Sequence, residues 1–216
     1  MKRLSDCRLY AFVDLAYVRD RAPDEIARQL CAGGADLIQL RAKDHSPAEI
    51  QRLAELIQPI TQQAGVGLVI NDHLDIAVKA GAELCHLGQE DFFDRGHAHV
   101  EQIRDRTSNL KIGLSTHAPA QAERAVAAGA DYIAIGPVYA TGTKPGAKPV
   151  TLEYVRWAAA QVRAPWFAIG GITLANLDDV LAAGARGICV VSAILNAPDV
   201  EKACRAFRDR LDASAT

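Results

Sequence analysis

Four short segments built on Ala-Gly recur along this chain, and their spacing constrains the fold more than any other feature. They are Ala32-Gly33-Gly34-Ala35-Asp36, Ala80-Gly81-Ala82-Glu83, Ala128-Gly129-Ala130-Asp131 and Ala183-Gly184-Ala185-Arg186. Gly33 to Gly81 and Gly81 to Gly129 are 48 residues apart, and Gly129 to Gly184 is 55. Each segment follows an amphipathic stretch and precedes a short apolar run. A glycine there ends a helix in a left-handed conformation, and its small neighbours let the chain turn back into a sheet. A period of 48 accommodates two strand–helix units of about 24 residues each, so four segments imply eight units.

The apolar runs fall where this scheme needs them. They are Leu9–Asp14, Asp36–Arg41, Gly67–Asp72, Leu84–Gly88, Lys111–Ser115, Tyr132–Pro137, Trp166–Gly171 and Gly187–Ser192. Short, nearly continuous runs are what parallel strands buried on both faces require. Helical patterns lie between them. In Pro47 to Gln63, for example, Ile50, Leu53, Ala54, Ile57 and Ile60 share a face, and Pro47 stands near the start. Eight alternating units in 216 residues, half of them hydrophobic, fit one closed (β/α)8 TIM barrel spanning residues 1–216. An open doubly wound sheet is the alternative, but no GxGxxG follows the first strand.

A formal net charge of −2 argues against nucleic-acid and anionic-membrane partners. No apolar run approaches the roughly 18 residues of a membrane span. Asp6, Arg8 and Asp14 interrupt any secretory h-region. The five cysteines are odd in number and lack CxxC spacing, which fits reduced thiols in the cytoplasm. Small acidic ligands remain open, because local clusters outweigh the total charge.

In such a barrel the active site lies at the C-terminal ends of the strands. Those ends deliver Gln39, Arg41 and Lys43 from the second strand, and Asn71 and Asp72 from the third. His86, Gln89 and Asp91 come from the fourth, and Ser115 and His117 from the fifth. The sixth runs into Gly136-Pro137 and a loop carrying Thr141, Gly142, Thr143 and Lys144, a kit suited to phosphate or diphosphate. The seventh ends in Gly170-Gly171 and the eighth in Val191-Ser192, where backbone N–H groups suit a phosphate monoester. Alternation puts Gln39, Arg41 and Lys43 on one side of their strand, with Leu40 and Ala42 on the other. Asp72 and Asp91, with Lys43, Arg41 and Lys144 on the same rim, suggest a Mg²⁺–diphosphate site. The alternative is that Asp72 caps the next helix and Asp91 caps a turn. Among the histidines, His97 and His99 read as a solvated helix start and His45 as a rim neighbour. His86 reads as a hydrogen-bonded core residue, and His117 as the best titrating group.

The stretches QLRAK, VINDHLDIA, HLGQED, GLSTH, AIGPVYATGTK, AIGGI and VVSAI, in that order, resemble the thiamine phosphate synthase (thiamine-phosphate pyrophosphorylase) family. The likeness runs from the first strand to the last. One departure is His73, where the family often has an arginine. The resemblance implies a Mg²⁺-dependent transferase that joins 4-amino-2-methyl-5-hydroxymethylpyrimidine diphosphate to 4-methyl-5-hydroxyethylthiazole phosphate, or to its carboxylated tautomer. It implies that Gln39, Leu40, Arg41, Ala42, Lys43, Asn71 and Ser115 hold the pyrimidine substrate, and that Asp72 and Asp91 ligate the metal. Thr141, Gly142 and Thr143 would bind the thiazole phosphate, with Lys144 bridging to the diphosphate. Gly171, Val191 and Ser192 would hold the thiazole's phosphate. Lys43, Arg41, Lys144 and Ser115 would act in the chemical step. The partners are then two small molecules, with a homo-oligomer left open.

Two rivals stand beside this reading. A thiazole tautomerase on the same barrel would use His117, but it has no need of QLRAK, Asp72 and Asp91. A phosphate-binding barrel without catalysis would not need the full set of cations and carboxylates.

Overall fold

The structure is a computed structural model that describes residues 1–104, 109–142 and 148–214. Eight parallel strands close into a barrel in chain order, giving the (β/α)8 architecture. They are β1 (Leu9–Asp14), β2 (Leu37–Arg41), β3 (Gly67–Asn71), β4 (Leu84–Leu87), β5 (Lys111–Thr116), β6 (Tyr132–Ile135), β7 (Trp166–Ile169) and β8 (Ile188–Cys189). β8 closes the ring against β1, with Leu9 opposite Ile188 and Tyr10 opposite Cys189. The apolar run continues past β8, but only Val190 still bonds the sheet, its N–H donating to the Tyr10 carbonyl at 3.0 Å. Val191 then turns the chain into the short helix Ser192–Leu195.

The helix Pro47–Ala64 shows how the outer layer is specified. Ser46 and Glu49 form a capping box at its start, and Gly65 ends it in a left-handed conformation. Ile50, Leu53, Ala54 and Ile57 are buried against the barrel, whereas Ile60 is only partly so. Burying each large aliphatic side chain contributes roughly 1.5–3 kcal/mol. One connection departs from the simple alternation. Among the described residues, β4 leads to β5 through the short helix Gln89–Phe92 and a 3₁₀ turn, Val100–Gln102.

The Ala-Gly segments act as expected, with one shift of register. Gly34, Gly81, Gly129 and Gly184 take positive φ, from 66° to 100°. Gly33 stays right-handed at φ −69°, so the first repeat is counted from Gly34. Gly33 is needed for a different reason, because a Cβ there would lie 2.5 Å from the Cβ of Cys204 in the C-terminal helix Val200–Ala213.

The acidic residue that closes three of the repeats explains the two-unit period. Asp36 accepts from the N–H groups of Arg8 and Leu9, at 2.8 and 3.0 Å. Glu83 accepts from Leu68 N–H at 2.9 Å, and Asp131 from Ile112 N–H at 2.8 Å. Each carboxylate at the foot of an even strand thus ties down the foot of the preceding odd strand. Asp36 is also an ionic hub, with Lys2 Nζ at 2.6 Å and a guanidinium nitrogen of Arg208 at 2.8 Å. These bonds stiffen the N-terminal end of the barrel and leave the opposite rim for chemistry.

Candidate active site

A cavity opens at the C-terminal ends of the strands and reaches down to Tyr10 and Gln39 in the barrel interior. Its empty volume is about 1090 Å³ counting the open mouth.

On the β2 side, Gln39, Arg41 and Lys43 line the wall as alternation requires. Leu40 and Ala42 do not. Both side chains are buried in the hydrophobic core on the other face of the strand. Asp14, which the sequence reading did not single out, stands behind this wall. It ends β1 directly opposite Arg41 in the register, is 1% exposed, and accepts from the Arg41 guanidinium at 2.7 Å. Its other carboxylate oxygen accepts from Ala16 N–H at 3.1 Å. A carboxylate closing an otherwise apolar strand is the signal that could have found it, because a buried charge demands a partner. Asp14 therefore anchors Arg41 at the cavity edge.

Beside these cations, Asp72 and Asp91 stand close to each other on the cavity wall. Asp72 takes the left-handed conformation, φ 65°, which Asp tolerates better than most residues. Burial, and next the adjacent Asp91 charge, push the Asp72 carboxyl above its ordinary value, against the pull of Lys43. Lys43 Nζ lies 3.9 Å from Asp72 Oδ2, and Asn71 Nδ2 donates to the same oxygen at 2.5 Å. The helix-cap alternative fails for Asp72. The following helix, Leu74–Lys79, has His73 at its N-cap and no side-chain capping bond. Asp91 lies inside Gln89–Phe92, where it accepts from Arg95 at 3.2 Å.

His86 is a core histidine, as read. Its Nδ1 meets the Tyr132 hydroxyl at 3.1 Å and its Nε2 meets Ser115 Oγ at 2.9 Å. Burial pushes its pKa down to about 4, so the ring is neutral at physiological pH. Gln89 is a strap: its amide donates to the Ser115 carbonyl at 2.6 Å. His117 lines the wall, and its Nδ1 lies 2.5 Å from the Gly136 carbonyl. A carbonyl can only accept, so Nδ1 carries the hydrogen. His99 accepts from Glu101 N–H at the 3₁₀ turn, and the His97 ring packs on Phe92.

The far wall comes from β6 to β8. After β6 the chain stays paired to the end of β7, with Val138 N–H donating to Ile169 and Tyr139 N–H to Gly170. Gly136 permits this approach, since a Cβ there would sit 2.2 Å from the Ile169 carbonyl oxygen. Thr141 then reaches the cavity, while Gly142 lies off it near the Tyr17 hydroxyl. Thr143 and Lys144 lie outside the described residues. Gly171, Val191 and Ser192 all line the wall. Ser192 opens the helix Ser192–Leu195, whose first-turn N–H groups have no intrahelical acceptor.

Among the described residues no helix is long and apolar enough to cross a membrane, and the five cysteines are all free. A family model described as thiamine monophosphate synthase matches residues 9–194. Among curated proteins, the chain is 48% identical over 181 residues to thiamine-phosphate synthase of Thermus thermophilus, covering 83% of this chain and 84% of the relative. It is 39% identical over 197 residues to the Lawsonia intracellularis enzyme of the same name, covering 90% and 88%. The solved structure of thiamine phosphate pyrophosphorylase from Pyrococcus furiosus superposes with a TM-score of 0.87 at 28% identity, over the whole of both chains. A 3-hexulose-6-phosphate synthase superposes at 0.62 with 21% identity, over 96% of this chain and 99% of that one, a likeness of fold alone.

Proposed function

The chain belongs to the thiamine monophosphate synthase family, and from that premise we propose how its rim divides the work of the reaction. The activity is that of a thiamine-phosphate synthase, a transferase. In our reading the β2–β5 half of the cavity takes the aminopyrimidine diphosphate and the β6–β8 half takes the thiazole phosphate. The carrying observation is that the Asp72–Asp91 pair, Lys43 and Arg41 gather on one side of a cavity whose other wall holds Gly171 and Ser192.

The donor set fits a magnesium ion. Two carboxylates close together repel each other, and a divalent cation between them removes that cost. Among the described residues no cluster of three or more His, Cys, Asp or Glu side chains stands ready to cage a metal. That suits an ion which keeps waters and takes phosphate oxygens as its other ligands. When bound, Mg²⁺ would supply positive charge to the diphosphate.

The protein's own groups do the rest. The electron-rich aminopyrimidine can stabilise a benzylic-type cation, so the bond to the leaving group can break ahead of attack. Lys43, and Arg41 held by Asp14, neutralise charge on the departing diphosphate as preorganised cations. Asn71 and Ser115 orient the pyrimidine substrate. Gly171, Val191 and Ser192 fix the thiazole's phosphate, so that its ring nitrogen is in line without a general base. Thr143 and Lys144 keep the roles implied by their motif. The five unpaired thiols and the small-molecule substrates support a cytoplasmic location.

The test is a coupling assay with both substrates, in Mg²⁺ or in chelator, reading thiamine phosphate as its fluorescent oxidation product. Mg²⁺-dependent product is expected, along with loss of most turnover in a folded Asp91→Ala variant. Full activity in chelator, or in that variant, would remove the metal assignment.

A further inference from the structure

Five side chains form one hydrogen-bonded chain through the barrel interior. Gln39 Nε2 donates to the Tyr10 hydroxyl at 2.6 Å, and the Tyr10 and Tyr132 hydroxyls meet at 3.2 Å. The Tyr132 hydroxyl meets His86 Nδ1 at 3.1 Å, and His86 Nε2 meets Ser115 Oγ at 2.9 Å. Tyr10, Tyr132, Gln39 and His86 are all buried, at 8% exposure or less. Room for the Tyr132 ring comes from β5, where a Cβ on Gly113 would lie 2.0 Å from Tyr132 Cζ. Gln39 and Ser115, the two ends of the chain, line the substrate cavity, as do Tyr10 and His86 between them.

Such a chain can run in either of two directions, and the orientation of the Gln39 amide selects between them. A phenol owns a single hydrogen. With Gln39 Nε2 donating to Tyr10, the Tyr10 hydrogen has the Tyr132 hydroxyl as its remaining acceptor within the chain. Tyr132 accepts that bond and gives its own hydrogen to His86 Nδ1. A neutral imidazole that accepts at Nδ1 carries its hydrogen on Nε2, and it donates this to Ser115. The hydrogen of Ser115 is then spent on no protein group in the chain, and the residue faces the cavity.

We propose that this chain holds His86 in its Nε2–H form and thereby commits the Ser115 hydroxyl to donate to an acceptor atom of the bound pyrimidine substrate. His86 is thus a positioning residue, acting on substrate choice through Ser115. The proposal rests on the assignment of this half of the cavity to the pyrimidine substrate. A ligand presenting a donor at that spot would meet a second donor, and discrimination against it follows from the direction of the chain rather than from pocket shape.

Nitrogen-15 NMR of the full chain with labelled histidine tests the direction without substrate. His86 is identified by the resonances missing from the His86→Gln spectrum. Protonated Nε2 with bare Nδ1 is expected, and protonated Nδ1 overturns the proposal. Kinetics test the consequence. His86→Leu and Ser115→Ala are each expected to lower kcat/KM about tenfold, and the double variant should lose little more, since one residue acts through the other. His86→Gln keeps a donor within reach of Ser115 and should retain activity within about threefold of wild type. Additive losses, or a glutamine variant as poor as the leucine one, would overturn the positioning role. A wild-type protein that makes no thiamine phosphate would refute the proposed function and leave the NMR result standing on its own.

Discussion

Replacing Asp72 with asparagine should make the metal-free protein more stable while removing its activity. The Asp72 and Asp91 carboxyls are close to each other, and their side chains are only 24% and 28% exposed. Two like charges about 4 Å apart cost about 1 kcal/mol in bulk water and about 4 kcal/mol near a protein surface. A repulsion of about 2 kcal/mol is reasonable for such partly exposed carboxyls. Against this stands Lys43, 3.9 Å from Asp72 but 54% exposed, an attraction worth about 0.2–1 kcal/mol. The bond from Asn71 survives, because the new amide oxygen can accept it in a weaker, uncharged form. Asparagine also tolerates the left-handed backbone at φ 65°. The net gain is about 1 kcal/mol, a rise in Tm of roughly 2–4 °C for a chain of this size. Calorimetry in chelator measures it. Magnesium at a hundred times its Kd should stabilise the wild type by about 2.7 kcal/mol and leave the variant unmoved. Turnover should fall about a hundredfold or more. A lower Tm in the variant would mean that Asp72 is a structural partner, and retained turnover would mean that the dyad holds no metal.

Two other perturbations probe the two ends of the barrel. Asp36→Ala leaves the Arg8 and Leu9 N–H groups without their acceptor and Arg208 with Asp212 as its remaining carboxylate, so urea unfolding should show a loss of about 2–3 kcal/mol with KM unchanged. Burial alone would raise the Asp36 carboxyl, but Lys2, the Arg8 and Leu9 N–H groups and Arg208 outweigh it and hold the pKa below 3.8. Its contribution is therefore complete above that value and lost as pH falls through the depressed one, so the gap between wild type and variant should close only in strong acid. Asp14→Asn removes the charge that anchors Arg41 and should lower kcat/KM for the pyrimidine diphosphate at least about tenfold, with a smaller effect on the thiazole phosphate. Equal losses for both substrates would argue for a general loss of barrel order instead.

Much of this molecule could be read along the chain. A parallel strand buried on both faces must be apolar along its whole length, so Leu9–Asp14 was visible as a strand before any coordinate, and most other strands fell within one or two residues. The rim followed from the same logic, since whatever comes next after each run belongs to one face of the barrel. The side chains of QLRAK divide between two surfaces. Alternation sends Leu40 and Ala42 into the core, and the cavity keeps only Gln39, Arg41 and Lys43 from that stretch. Gly187–Ser192 looked like a full strand, yet β8 is only Ile188–Cys189, because Val191 turns to start a helix at the rim.

Partnership was beyond reach of the linear pattern. Asp14 pairs with Arg41 because β1 and β2 lie side by side in one register, and nothing within either strand specifies that register. Asp72 meets Asp91, 19 positions later, because the turns after β3 and β4 bring their carboxyls together. The interior chain joins residues 39, 10, 132, 86 and 115, an order that exists only once the barrel is closed. Composition and periodicity are local properties and determined the elements and the rim. The direction of a hydrogen bond, and the charge a carboxylate faces, depend on neighbours distant along the chain, and only the closed barrel supplied them.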